Sequence, residues 1–172
     1  IDNLCQSLTL LTEESQKVLS EYSLKKLLSS SVAIIQESQL YDHIKISLLV
    51  ENDGLILANH DEMTQLFMNL IQNAVDAIAD KKGQLTIRTE LVSDKQVKID
   101  FTDDGAGMSA ETKKQLFEPF FTKKLKGTGL GMTVSQRIVL EHHGDIYVSS
   151  EEGVGTCISV FLPLVEKAKV AI

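Results

Sequence analysis

The stretch Asn69-Leu-Ile-Gln-Asn73-Ala-Val-Asp76 is the segment from which the fold can be predicted. It lies inside a helical pattern over residues 60–80, in which apolar residues recur three and four positions apart and form one wide apolar face. At roughly 100° per residue, a narrow polar stripe falls on the opposite side of this helix. The stripe consists of Glu62, Gln65, Asn69, Asn73, Asp76 and Asp80.

Two asparagines in the middle of this helix need an explanation, because Asn is a mediocre helix former. Asn69 and Asn73 stand one turn apart, at i and i+4, where their side chains can contact the same object. Two interpretations are open at this point. The stripe is either an ordinary polar surface or a binding face that contains two carboxamides.

The composition is that of an ordinary globular protein. The chain has 172 residues, 43% of them hydrophobic and 24% charged, which suits one domain and a short appendage. A net charge of −7 argues against general nucleic-acid binding. Neither a membrane span nor a secretory signal is predicted, and Cys5 and Cys157 lack metal-ligand spacing, which suits a reducing cytosol. Because the chain starts at Ile1, we expect it to be a piece of a longer protein.

The order of predicted elements indicates an α+β fold. Helical periodicity predicts helices over residues 1–20, 24–41, 60–80 and 130–143. Alternation and apolar runs predict strands over residues 44–50, 55–57, 84–91, 96–102, 145–150 and 157–162. The Asn52-Asp53-Gly54 turn predicts that the first two strands form a hairpin, and Lys81-Lys-Gly83 is predicted to end the Asn-bearing helix. We therefore expect a two-layer α/β sandwich, with helices on one face of a mixed, mainly antiparallel sheet.

The strand over residues 96–102 predicts an inward-facing carboxylate. Val97, Ile99 and Phe101 share one face, and Asp103 continues that face at the end of the strand. A carboxylate at the inner end of a core strand is costly unless a group donates to it. The exocyclic amine of a purine would serve, and the glycines of Asp-x-Gly-x-Gly would let the backbone approach a flat ring. The alternative is a tight turn capped by Asp.

Closely spaced glycines precede the helix over residues 130–143, in Gly127-Thr-Gly129-Leu-Gly131. Glycines at a helix N-terminus present free N–H groups and the positive end of the dipole, which together form a natural phosphate site. Nearby lysines in an acidic protein favour phosphate over simple flexibility. The glycines lie in a long irregular segment, residues 104–129, and such loops are commonly functional.

The order of these motifs carries more information than any one of them. Asn-x-x-x-Asn, Asp-x-Gly-x-Gly, Phe-x-Pro-Phe-Phe, Gly-x-Gly-x-Gly and Gly-x-Gly-Thr follow one another over about residues 22–163. This series resembles the catalytic ATP-binding domain of bacterial sensor histidine kinases, within the wider ATPase group that contains gyrase, Hsp90 and MutL. The run Phe117-Glu-Pro-Phe-Phe-Thr-Lys-Lys124 looks most like the nitrogen-regulation and sporulation kinases.

The resemblance implies a site for ATP and Mg²⁺. Asn73 would bind the metal through its amide oxygen, Asn69 would support the metal and phosphates, and Asp103 would accept from the adenine amino group. Phe117, Phe120 and Phe121 would anchor a mobile lid. The other implied nucleotide contacts are Gly105, Gly107, Phe120, Lys123, Gly127, Thr128, Gly129, Leu130, Gly131 and Thr156. Lys124 would reach the phosphates, but the subgroup commonly reads Thr-Thr-Lys at Thr122-Lys123-Lys124, which leaves open which lysine makes that contact.

The resemblance also implies the place of the chain in two-component signalling. In such kinases the acceptor histidine stands before an acidic residue and a nearby Asn-Pro, and His43, His60, His142 and His143 lack that full context. We expect His142 and His143 to cap a helix end, and the acceptor histidine to lie on a separate dimerisation domain. Residues 1–20 would end that domain or connect to it, residues 21–165 would form the catalytic domain, and residues 166–172 a tail.

The implied parent is a homodimeric kinase whose catalytic domain lies in the cytoplasm, with or without a membrane anchor. It would act indirectly on a response regulator and would not bind nucleic acid. Two alternatives remain at this point: an ATPase of the same wider group whose hydrolysis drives a conformational clamp, and a nucleotide-binding switch that transfers nothing.

Overall fold

A five-stranded sheet forms one layer of the computed structural model, which describes residues 18–38, 41–51, 53–122 and 127–165. The strands lie in the order β2-β4-β5-β7-β6, where β2 is Ile44–Val50, β4 is Gly83–Ser93, β5 is Gln96–Asp103, β6 is Asp145–Glu151 and β7 is Gly155–Pro163. β2 runs parallel to β4, and the other neighbours are antiparallel. The predicted mixed, mainly antiparallel sheet is confirmed.

Three helices pack on one face of this sheet: α1 (Leu24–Glu37), α2 (His60–Ile78) and α4 (Gly131–Glu141). The apolar face of α2 lies against the centre of the sheet, where the rings of Phe67 and Phe101 are 6.1 Å apart. Alternation along β5 buries Val97, Ile99 and Phe101 on the same face. The predicted sandwich is therefore confirmed. Each of these helices ends earlier than predicted, and the predicted helix over residues 1–20 lies mostly outside the described residues. In the described part of the chain, no helix has the length and hydropathy needed to span a membrane.

The hairpin predicted between β2 and residues 55–57 is wrong. The strand β3 (Leu55–Ala58) pairs instead with β1 (Ser20–Ser23), an antiparallel partner that the sequence analysis did not predict. The reason lies in the connection. The Asp53 carboxylate accepts from Ser23 Oγ at 2.8 Å and from the Lys25 amide at 3.2 Å, and the Gly54 carbonyl accepts the Leu24 amide at 3.0 Å. The chain is thereby held at the N-terminus of α1, away from β2.

The end of α2 also differs from the prediction. The helix ends at Ile78, its last turn contains no basic residue, and Gly83 begins β4 rather than capping the helix. Ala79 has a positive φ of 57°, which costs a non-glycine residue roughly 1–3 kcal/mol. Its carbonyl accepts His43 Nε2 at 2.7 Å, so a contact from the segment before β2 holds this turn.

Candidate functional site

One cleft of about 870 Å³ brings together residues that are far apart in the sequence. It lies between α2, the C-terminal end of β5, the N-terminal end of β7, and the segment that connects β5 to α4. Its lining includes eight of the residues that the resemblance assigns to the nucleotide or the metal: Asn73, Asp103, Gly107, Gly127, Thr128, Gly129, Gly131 and Thr156. Their roles stay predictions, but the fold places them around a single space.

Asp103 lies at the deep end of the cleft. The residue is 8% exposed, and it is paired with Thr156 in the register of β5 and β7. Burial raises the pKa of this carboxyl above its ordinary value of 3.8, and hydrogen bonds from the backbone of Gly105 and Thr156 offset part of the rise. Asp104 adds a smaller repulsive contribution that also raises the pKa. The inward orientation predicted for Asp103 is confirmed.

The turn after β5 is also capped by Asp103, whose Oδ1 accepts the Gly105 amide at 2.9 Å. The two interpretations of this residue are therefore compatible, because the same carboxylate caps the turn and lines the cleft. A desolvated carboxylate held by backbone donors gains most from a further donor that enters with a ligand.

The two glycines of this turn have structural reasons of their own. A Cβ on Gly105 would lie 2.6 Å from the Ala77 carbonyl carbon, where the neighbouring Ala106 amide donates to the Ala77 oxygen at 2.9 Å. Gly107 has φ of 65°, and a Cβ there would overlap the carbonyl oxygen of Glu151. These close approaches dock the turn on α2 and on the β6–β7 connection. Gly107 lines the cleft, whereas Gly105 does not.

The N-terminus of α4 lies at another part of the cleft. Leu130, just before the first turn, is buried. Its backbone amide donates a hydrogen bond to Thr128 Oγ1 at 3.4 Å. A Cβ on Gly131 would meet only the Asn69 side chain, at 3.9 Å, which is ordinary contact. The fold therefore does not require glycine at position 131. The space in front of this helix N-terminus is the kind of place where backbone N–H groups and the helix dipole bind phosphate.

The two asparagines of α2 face the first turns of α4. Asn69 Nδ2 donates to the Gly131 carbonyl at 3.3 Å and to Ser135 Oγ at 3.4 Å, while Asn73 Nδ2 lies 3.0 Å from Met132 Sδ. Both side chains are partly buried, so the interpretation of an ordinary polar surface is wrong for these two residues. The described residues contain no cluster of three or more His, Cys, Asp or Glu side chains able to hold a metal. A divalent ion here would therefore have few protein ligands, with phosphate and water completing its shell, an arrangement that suits Mg²⁺.

The segment between β5 and α4, which we call the lid, is anchored on both sides of residues 123–126. A short helix, α3 (Ala110–Gln115), is capped by Ser109 and held by Lys113 Nζ, which donates to the Ser150 carbonyl at 2.8 Å. This helix was not predicted from the sequence, although the Ser109-Ala-Glu-Thr112 start contains an N-cap residue and an early Glu. Thr133 Oγ1 donates to the Phe117 carbonyl at 3.2 Å and joins the lid to α4.

Phe120 and Gly129 form the closest approach within the lid. The Phe120 amide donates to the Gly129 carbonyl at 2.9 Å, and both residues have positive φ, 67° and 68°. A Cβ on Gly129 would overlap the backbone of Phe120. Phe120 is 59% exposed, and Phe121 lines the cleft. Lys123 and Lys124 lie outside the described residues, so the choice between them stays a prediction.

Some residues that line the cleft were not assigned a role in the site from the sequence. Tyr41 and His43 line it from the segment before β2, and Asp76 lines it from α2. The stripe on α2 contained Asp76, but only the fold brings Tyr41 beside it. The capping role expected for His142 is confirmed: it is the C-cap of α4, with Nδ1 at 2.7 Å from the Ile138 carbonyl. His143 follows with φ of 57°.

Comparison with known proteins identifies the class. The family described as "Histidine kinase-, DNA gyrase B-, and HSP90-like ATPase" matches residues 58–166. The chain is 32% identical over 165 residues to the signal transduction histidine-protein kinase AtoS of Escherichia coli K12, covering 95% of this chain and 27% of AtoS. It is 33% identical over 166 residues to sporulation kinase C of Bacillus subtilis 168, covering 95% of this chain and 38% of that protein. The chain thus spans well under half the length of both relatives.

Among solved structures, the catalytic domain of histidine kinase ThkA superimposes with a TM-score of 0.75 and 27% identity. The match covers 85% of this chain and 95% of that domain. The two-layer sandwich is therefore the fold of a histidine kinase catalytic domain.

Proposed function

The chain belongs to the family of histidine kinase-, DNA gyrase B- and HSP90-like ATPases, and on this premise we propose that it binds Mg·ATP and delivers the γ-phosphate to a histidine on a separate domain of a sensor histidine kinase. The observation that carries the proposal is the arrangement of one cleft. A buried carboxylate lies at its deep end, the N-terminus of α4 lies at another part, and Asn73 lines the space between α2 and α4.

Asp103 would recognise the adenine base. Its carboxylate accepts hydrogen bonds only, and the exocyclic amine of adenine is a donor. Guanine carries a carbonyl oxygen at the same ring position, which would face the carboxylate lone pair against lone pair. Gly107 and Thr156 line the cleft near Asp103 and would shape the pocket for the ring.

The N-terminus of α4 and the lid would bind the triphosphate. Backbone N–H groups at Gly129, Leu130 and Gly131 would meet the phosphate oxygens, and Gly131 leaves room for them. Asn73 would hold Mg²⁺ through its amide oxygen, with phosphate oxygens and water completing the shell. Mg²⁺ would neutralise the charge that develops on the transferred phosphoryl group, while Lys123 or Lys124 would add a positive charge from the lid.

Water is a poor competitor for the γ-phosphate in this arrangement because of Asn69. A carboxamide has no basic lone pair near neutral pH, so it can orient a water molecule but cannot take its proton. General-base catalysis typically contributes about 10²–10⁴-fold, and its lack would preserve bound ATP until an imidazole arrives. The imidazole brings its own nucleophilic nitrogen and needs positioning rather than deprotonation.

The partner in this proposal is a dimerisation and phosphoacceptor domain of a homodimeric parent kinase, which then phosphorylates a response regulator. The name of AtoS, a signal transduction histidine-protein kinase, supports the kinase part of this assignment. Residues 21–165 would act as the catalytic domain on the cytoplasmic side, with residues 1–20 leading from the acceptor domain.

Nucleotide selectivity tests the binding half of this proposal. Isothermal titration of the chain with Mg·ATP and with Mg·GTP should give tighter binding of ATP by roughly tenfold or more, the cost of replacing a charge-assisted hydrogen bond with a repulsion. Equal affinity for the two nucleotides would overturn the role of Asp103 in base recognition. Failure to bind either would overturn the proposed function as a whole.

A further inference from the structure

A polar chain of side chains borders the cleft at the C-terminal end of α2. Gln72 Nε2 lies 2.8 Å from Tyr41 Oη and 2.8 Å from Asp76 Oδ1. The amide nitrogen therefore uses its two hydrogens on two acceptors that belong to different parts of the fold. Tyr41 and Asp76 both line the cleft, and Gln72 behind them holds their oxygens at a set spacing.

The position of this pair along α2 indicates which part of a nucleotide it would meet. One turn earlier, Asn73 contacts the first turns of α4, where we place the phosphates. One residue later, Ala77 receives the turn that carries Asp103, through the hydrogen bond from Ala106 to its carbonyl. Asp76 therefore lies between the phosphate end and the base end of the helix. In a nucleotide, the ribose occupies the place between base and phosphates.

The chemistry of the pair agrees with that position. A carboxylate repels phosphate oxygens, and Asp103 already provides the acceptor for the base. The hydroxyls of the ribose are the remaining donors of ATP. Tyr41 Oη accepts from Gln72 and still has its own hydrogen to donate. An acceptor beside a donor matches a vicinal diol, in which each hydroxyl can play either role.

We propose that Asp76 and Tyr41 recognise the ribose of the bound nucleotide, with Asp76 accepting from one hydroxyl of its vicinal diol and Tyr41 donating to the other. The inference rests on the proposed function, because it requires the base at Asp103 and the phosphates at α4. It makes the cleft selective for ribonucleotides over deoxyribonucleotides. Gln72 is a positioning residue, which acts through Tyr41 and Asp76 rather than on the sugar.

Deoxynucleotides test this selectivity directly. Dissociation constants of the native chain are measured for ATP, 2′-deoxy-ATP and 3′-deoxy-ATP in the presence of Mg²⁺. We expect the loss of the hydroxyl that meets Asp76 to weaken binding by about tenfold, and the loss of the other by about threefold. Each effect is expressed as the ratio of the dissociation constant of a deoxynucleotide to that of ATP. Asp76→Asn should reduce the larger of the two ratios to within about threefold, and Tyr41→Phe should reduce the smaller ratio to about one.

Asp61→Asn is the matched control, because it makes the same charge change on α2 at an exposed position outside the cleft. It should keep both ratios of the native chain. Native binding of ATP and both deoxynucleotides within about twofold of one another would overturn the inference and leave the proposed function standing, even if Asp76→Asn failed to fold. Unchanged ratios in Asp76→Asn, with altered dependence on Mg²⁺, would also overturn it by assigning Asp76 to the metal's water shell. Absence of binding to all three nucleotides would remove both proposals.

Discussion

The side-chain amide of Asn69 donates to the carbonyl of Gly131 over 3.3 Å and so holds the first residue of α4 against α2. The contact joins the polar stripe of the central helix to the helix N-terminus that faces the cleft. It also fixes the surroundings of Gly131, whose missing Cβ would lie in open space 3.9 Å from Asn69 Cγ. The glycine is thus dispensable for packing, and under the proposed function a phosphate oxygen would take the space that its missing Cβ leaves.

Two neighbouring glycines should therefore respond differently to alanine. Gly131→Ala should leave the free energy of unfolding unchanged or raise it by up to about 1 kcal/mol, because Ala is the better helix former. It should weaken Mg·ATP binding by roughly tenfold or more, because the methyl group enters the space of a phosphate oxygen and displaces a charge-assisted hydrogen bond. Denaturant unfolding and nucleotide titration of the same sample measure the two effects.

Gly129→Ala is the contrasting variant. Position 129 has φ of 68°, and a Cβ there would clash with the backbone of Phe120. The substitution should therefore lower the free energy of unfolding by about 1–3 kcal/mol. Normal ATP affinity in Gly131→Ala would refute the assignment of phosphate to the N-terminus of α4.

Asp103→Asn should weaken ATP binding at neutral pH by about tenfold or more, because a neutral amide replaces a charge-assisted acceptor, worth roughly 1.5–3 kcal/mol. The variant should remain folded, since the amide oxygen can still accept the Gly105 amide. Titration with a fluorescent ATP analogue measures the change. Asp100→Asn, on the same strand and bonded to Ser159 Oγ at 2.6 Å, is the matched control and should bind like the native chain. Native affinity in Asp103→Asn would reduce this residue to a turn cap.

The affinity for ATP should fall as the pH falls through the raised pKa of Asp103, because only the ionised carboxyl accepts from adenine. Protonation of the ATP phosphates affects native and variant chains alike, so the difference between native and Asp103→Asn isolates this group. Without nucleotide, the stability of the folded chain changes with pH in the opposite direction to the affinity for ATP. Between 3.8 and the raised pKa the folded state holds the proton more tightly, so the contribution of Asp103 to the free energy of unfolding decreases as pH rises. A parallel pH profile of ATP affinity in the two chains would contradict this account.

Mg·ATP should slow amide hydrogen exchange in the described part of the lid, residues 109–122 and 127–130. The contacts that Lys113, Thr133 and Phe120 make in this segment are partly exposed, and a bound triphosphate would add hydrogen bonds at its glycines. Exchange in β4 and β5 serves as the internal reference and should not change. Equal protection of the lid with and without nucleotide would show that it does not close on the phosphates.

The periodicity of the sequence was sufficient to predict on which face of a helix or strand several side chains of the site lie. The 3.6-residue pattern placed Asn69 and Asn73 on one stripe of α2, and the two-residue pattern of β5 turned Asp103 inward. Both are local properties of a single helix or strand. The glycine run before α4 was visible for the same reason, because a helix start needs only its own sequence.

Pairings across the fold could not be predicted in this way. The turn before β3 looked like a hairpin, but the hydrogen bonds of Asp53 to Ser23 and Lys25 connect residues about thirty positions apart. The contact of Gln72 with Tyr41 also depends on where the loop before β2 crosses α2. Ala79 has a positive φ, a conformation that favours glycine, and its carbonyl accepts a hydrogen bond from His43 across the fold. In each case a tertiary contact overrides the local preference.

Phosphate transfer is the central claim, and a labelling experiment tests it most directly. The chain is incubated with Mg²⁺ and γ-labelled radioactive ATP, alone and with the histidine-bearing domain of a related sensor kinase. We predict slow phosphate release and no label on this chain, and label on the added domain that disappears with Asn73→Ala. Rapid phosphate release by the chain alone, abolished by Asn73→Ala, would contradict the kinase assignment and support an ATPase that drives a conformational clamp.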